Sequence, residues 1–107
     1  LLVTVNEIET KAVHSEFKRF TGEGAVPDPR DGCLYYNLGT VNDTSIYHTV
    51  SEMGSSSPGG MQQTVGKGIR SLAPGAVIAV GVAFGVNNEK QNIGDILISK
   101  QLALYEP

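Results

Sequence analysis

An α/β fold, a mixed sheet flanked by helices, is what this 107-residue sequence predicts, and three observations predict it. Apolar runs of strand length sit at 1–5 and 76–82 and are nearly unbroken, the pattern of central strands covered on both faces. Two helix-like segments, near 9–20 and 60–72, lie between them. Asn42-Asp43 separates two further apolar segments, 33–38 and 44–52, and marks a hairpin turn, so these strands should be antiparallel neighbours.

Taken in order, Leu1-Leu-Val-Thr-Val5 is a buried strand, and Asn6-Glu-Ile-Glu-Thr-Lys-Ala-Val-His-Ser-Glu-Phe17 follows as an amphipathic helix. The segment Thr21–Gly32 is rich in Gly, Pro and Asp and reads as one long surface loop. Cys33 opens the next strand as a small buried residue. Tyr47-His-Thr-Val-Ser-Glu-Met-Gly54 is a strand that runs into the loop Ser55-Ser-Ser-Pro-Gly-Gly60. The helix from Met61 to Leu72 is stopped by Pro74-Gly75. The run Val77–Val86 is a strand that breaks into glycines at 81 and 85, where the backbone can pass close to a ligand. Gly94-Asp95 opens a last strand at 95–101, with Asp95 tying down its loop. There is no internal repeat. Ligands are expected at the carboxyl ends of the strands.

A net charge of −3 without charge runs leaves no basic stripe for nucleic acid, and no segment approaches the ~18 apolar residues of a membrane span. No secretory signal is visible, and a single cysteine cannot form an internal disulfide, so the expected setting is a reducing cytoplasm. His14 and His48 lack partners at metal-ligand spacing and read as ordinary helix and strand residues.

The run Val77-Ile-Ala-Val-Gly-Val-Ala-Phe-Gly-Val86, followed by Asn92-Ile-Gly-Asp-Ile-Leu-Ile-Ser99, resembles the purine nucleoside phosphorylase and nucleosidase superfamily, whose members carry a small-residue loop after a central strand and then an I-G-D strand. The apolar first strand leading through an acidic turn to a helix fits the same family, and the resemblance spans nearly all of the chain but only about half of the family's domain. Because the chain starts without Met inside a strand and stops at Tyr105-Glu-Pro107, residues 1–107 are expected to be the N-terminal portion of one such domain. The family's ribose-gripping glutamate and leaving-group aspartate would then lie beyond Pro107.

The resemblance implies cleavage of the N-glycosidic bond of a purine nucleoside or nucleotide, with no cofactor and in a homo-oligomer. It places Glu9 where nucleosidases hold and deprotonate the attacking water, although Glu7 is close enough to compete for the role, and both acids also suit a helix N-terminus. It places Gly54, Ser55 and Ser56 beside the ribose and phosphate end of the site, and Val82, Ala83, Phe84 and Gly85 in one wall of the nucleoside pocket. Hexameric phosphorylases carry a phosphate-binding arginine and serine where this chain has Ala79 and Val82. Apolar side chains supply no charge-assisted donors, so hydrolysis is expected over phosphorolysis, with phosphate a further candidate ligand. The details Gly-Val-Ala-Phe-Gly and Glu89-Lys-Gln-Asn-Ile-Gly-Asp95 look closer to domains fused to signalling and immunity-type proteins, so the alternative is a nucleotide-sensing or effector module of a larger protein.

Overall fold

A computed structural model describes residues 1–52, 59–83 and 89–101. Its elements run β1 (Leu2–Thr4), α1 (Glu7–Thr21), β2 (Val26–Arg30), β3 (Cys33–Val41), β4 (Thr44–Val50), α2 (Met61–Leu72) and β5 (Ile78–Ala79). The sheet has the order β2-β3-β4-β1-β5. Its β2, β3 and β4 form an antiparallel meander, while β4, β1 and β5 are parallel. The chain is therefore α/β with a mixed sheet, and the carboxyl ends of three parallel strands share one edge.

Both hairpins turn on two residues with positive φ, Asn42 and Asp43 (48° and 65°) and Asp31 and Gly32 (49° and 76°). This is the turn whose twist matches that of the strands it joins. The second hairpin corrects the expectation of a loop over 21–32, because Val26–Arg30 pairs with Cys33–Asn37. Its two prolines fit because β2 is an edge strand. A two-residue turn makes Arg30 and Cys33 the hydrogen-bonded closing pair, so alternation leaves Pro27 and Pro29 at positions where no ladder N–H is required.

Tyr35 and Tyr36 are neighbours on β3 and face opposite sides of the sheet. His14 of α1 lies edge-on to the Tyr36 ring, 4.7 Å between centroids, and Gly68 of α2 lies against Tyr35 and Leu1, so one helix covers each face. Asn6 caps α1 by accepting the Glu9 N–H, and Gly22 closes it in the left-handed conformation. A bulge between Asn37 and Gly39 in β3 accompanies the burial of Leu38.

Two expectations for the C-terminal half are corrected. The segment 76–82 keeps only a two-residue strand, and β5 is the outer strand among the described residues, with Ile78 55% exposed. An apolar run reads as interior only if something covers it, and here no described element lies beyond β5. Residues 95–101 form no strand; Asp95 instead closes a turn, its carboxylate accepting the Asn92 N–H at 2.8 Å. No helix among the described residues is long and apolar enough to cross a membrane.

Candidate functional site

Buried polar groups are more informative than buried apolar ones, because each must be matched by a partner. Three of them, Thr4, Glu9 and His48, gather where the carboxyl end of β1 meets the first turn of α1. Thr4 and His48 are 0% exposed and Glu9 is 7% exposed. Glu7 forms an exposed pair with Lys11 at 3.8 Å, so the structure separates the two acids that competed for the role in the sequence.

Glu9 stands three residues after the N-cap and turns back towards the sheet. Its Oε1 accepts the Val5 N–H at 3.1 Å and its Oε2 the Val82 N–H at 3.0 Å. The carboxylate thus bridges the end of β1 and the chain just past β5. Gly81 leaves room for this, since a Cβ there would sit a tight 3.3 Å from Glu9 Oε2. The Val82 N–H holds the Glu9 carboxyl below the usual carboxylate range against the opposing effect of burial, with Val5 and Asn6 adding to it. Glu9 is therefore ionised at neutral pH. A carboxylate can accept about four hydrogen bonds, and Val5, Val82 and Asn6 take up much of that capacity.

Beneath Glu9 runs a chain of four side chains. His14 Nε2 and His48 Nδ1 are 2.9 Å apart, His48 Nε2 and Thr4 Oγ1 are 2.8 Å apart, and Thr4 Oγ1 and Thr10 Oγ1 are 2.8 Å apart. Thr10 Oγ1 donates to the Asn6 carbonyl at 2.8 Å. A carbonyl oxygen carries no hydrogen, so only the Thr10 hydrogen can occupy that last contact, and this fixes the bonds above it as far as His48 Nε2, the neutral state of His48 fixing the last. Thr4 donates to Thr10, His48 Nε2–H donates to Thr4, and His14 Nε2–H donates to His48 Nδ1. The chain ends on an amide oxygen, which makes it a tie rather than a proton path. Desolvation first, and then His14, pushes His48 down to about 4, so it is neutral at physiological pH and its Nδ1 accepts from His14. Burial also lowers His14.

Of the residues expected to bind substrate, Val82 and Ala83 are exposed, and Val82 meets Glu9 through its backbone N–H rather than its side chain. Gly54, Ser55, Ser56, Phe84 and Gly85 lie outside the described residues. Glu52 and Gly59, which flank the serine loop, border a cavity of about 370 Å³ against the first half of α2; Glu9 does not line it. Ala79 lies in β5, and Cys33 is the half-buried first residue of β3. Among the described residues no group of three or more His, Cys, Asp or Glu is placed to hold a metal ion.

Sequence reasoning missed the histidine pair because it searched for metal spacing. His14 and His48 are 34 residues apart and meet only once α1 lies on β4. The Asn6-Glu-Ile-Glu9 spacing was a readable signal that Glu9 turns inward, since an acid three residues after an Asn cap reaches back past the helix start. No known family model, curated protein or solved structure matches the chain.

Proposed function

We propose that this chain carries part of the active site of an N-ribohydrolase acting on purine nucleosides or nucleotides, with Glu9 as the residue that orients the attacking water. The resemblance of residues 77–99 to the nucleoside phosphorylase superfamily supplies the reaction class, and the Glu9 carboxylate carries the reading. It is ionised, held by one backbone N–H on each oxygen, and set where the carboxyl ends of β1 and β5 meet.

Cleavage of an N-glycosidic bond develops positive charge on the sugar. A fixed carboxylate stabilises that charge and accepts a hydrogen bond from the water that attacks it. A carboxyl held below its usual range is a weak base, so orientation of water and stabilisation of charge are the larger parts of its role. Deprotonation follows late, as the water oxygen bonds to the anomeric carbon and becomes acidic. Ala79 and Val82 offer no side-chain donor to phosphate, which favours water over phosphate as the nucleophile.

The test incubates the protein with adenosine, AMP, ATP and methylthioadenosine, with and without phosphate, and follows free base by chromatography. Base release in phosphate-free buffer, lowered ~10²–10⁴-fold by Glu9→Gln, is the expected result. Strict dependence on phosphate would overturn hydrolysis, and unchanged release by the variant would overturn the role of Glu9.

A further inference from the structure

We infer that His48 is a positioning residue for Glu9, acting through Thr4 and Thr10. The inference rests on the reading of Glu9 above and adds a residue from β4 to its site.

Glu9 is bracketed by the hydrogen-bond chain. Thr4 precedes Val5, whose N–H binds Glu9 Oε1, and Thr10 follows Glu9 on the helix. Asn6 lies between, accepting the Glu9 N–H on Oδ1 and both the N–H and the hydroxyl of Thr10 on its carbonyl. The 2.8 Å bond from Thr4 to Thr10 therefore fixes the same gap, between strand end and first helical turn, that the Glu9–Val5 bond spans at 3.1 Å.

The Asn6 carbonyl, by taking the Thr10 hydrogen, sets the direction of that bond, and His48 anchors its Thr4 end. Its Nε2–H occupies a lone pair of Thr4 Oγ1 and leaves the Thr4 hydrogen to go to Thr10. Without a donor at position 48 the Thr4 hydroxyl keeps Thr10 as its acceptor but loses the partner that holds it from β4, so the strand end facing the first helical turn is held by one tie fewer. The groups around His48 hold its ring. His14 of α1 donates to Nδ1, Tyr36 of β3 stacks at 5.9 Å between centroids, and Thr4 of β1 accepts from Nε2. No carboxylate hydrogen-bonds to it among the described residues.

Glutamine separates a positioning role from a merely structural one, because its side-chain amide can present an N–H where the imidazole Nε2–H stood, whereas leucine fills space and donates nothing. The experiment labels glutamate side-chain carboxyl carbons in the full chain, identifies the Glu9 signal by its loss in Glu9→Gln, and titrates it in the parent, His48→Leu, Thr4→Val and His48→Gln. The expected result is an upward shift of the Glu9 midpoint in His48→Leu and Thr4→Val, and its return in His48→Gln. Base release should follow the same order, kcat falling roughly tenfold in the first two, with KM held, and recovering in the third to within about twofold of the parent.

If His48→Leu does not fold, Thr10→Val breaks the chain on the half-buried helix side and is read the same way. An unmoved Glu9 midpoint in the folded His48→Leu, Thr4→Val or Thr10→Val protein overturns the inference, as does a glutamine variant that behaves like the leucine one. Should the parent release no base from any nucleoside or nucleotide, the proposed reaction falls, while the Glu9 titration still decides whether His48 positions it.

Discussion

Glu9 shares its two oxygens between donors 77 residues apart in sequence, Val5 and Val82, and this division has a cost that a neutral side chain reveals. Glutamine offers one carbonyl oxygen and one amide nitrogen, so Glu9→Gln must set an N–H donor against one of two backbone N–H groups. The variant should lose about 1–3 kcal/mol of stability in urea unfolding, the usual penalty for a buried group left without its partner. Thr10→Ser, which keeps the hydroxyl, should lose far less than that. His48 supplies a second expectation. Its folded pKa of about 4 lies below the ordinary 6.5, so the unfolded chain takes up a proton at a higher pH than the folded chain does. The stability this confers is complete above pH 6.5 and is lost as pH falls towards 4, by on the order of 3 kcal/mol. Unfolding free energies measured across that window should show the slope, and His48→Gln should flatten it.

At the scale of elements, turn chemistry decides both what was legible in the sequence and what can be improved. Asn42-Asp43 was readable as a hairpin because both residue types tolerate the left-handed backbone. Asp31-Gly32 carries the stronger turn signal, yet β2 was obscured by Pro27 and Pro29, which argue against a strand unless the edge position is known. That position is a property of the whole sheet order. Both helices were legible from their pattern and their stops, and Asn6-x-x-Glu9 announced the inward turn of Glu9. The reach of Glu9 to Val82 and the meeting of His14 with His48 were not, because each joins segments whose contact depends on tertiary structure. Of the four described non-glycine residues in the left-handed region, Ala73 (φ 46°) at the end of α2 has no polar side chain to favour that backbone, and Asp43 (φ 65°) in the first hairpin tolerates it less freely than glycine would. Asp43→Gly and Ala73→Gly should each raise stability by about 0.5–1 kcal/mol, net of the extra entropy that glycine brings to the unfolded chain. Thermal melts of the two single variants check this.

Over the whole molecule, the distribution of apolar surface departs most from what the sequence leads one to expect. A strand of Val, Ile, Ala and Gly at 76–82 predicts an interior position, and β1, with Val3 at 0% exposure, has one. In β5 the same composition lies outermost among the described residues, and beyond it Val82 is 80%, Ile96 87% and Ile98 86% exposed. The difference is one of neighbours, since among the described residues β1 has a strand on each side and β5 has β1 alone. A strand edge with apolar flanks presents both unpaired backbone groups and a surface that water leaves readily, which is a template for association. This chain in isolation should therefore self-associate. Sedimentation velocity across a concentration series is expected to show species larger than the monomer, more of them at higher salt, as hydrophobic contact gains while the net charge of −3 is screened. Val80→Lys places a charge next to the β5 edge, at a position 36% exposed. It should return the chain to a monomer with its circular dichroism unchanged. Association that persists in this variant would assign the contact to another surface, with exposed Ile8 and Phe20 of α1 the next to be substituted.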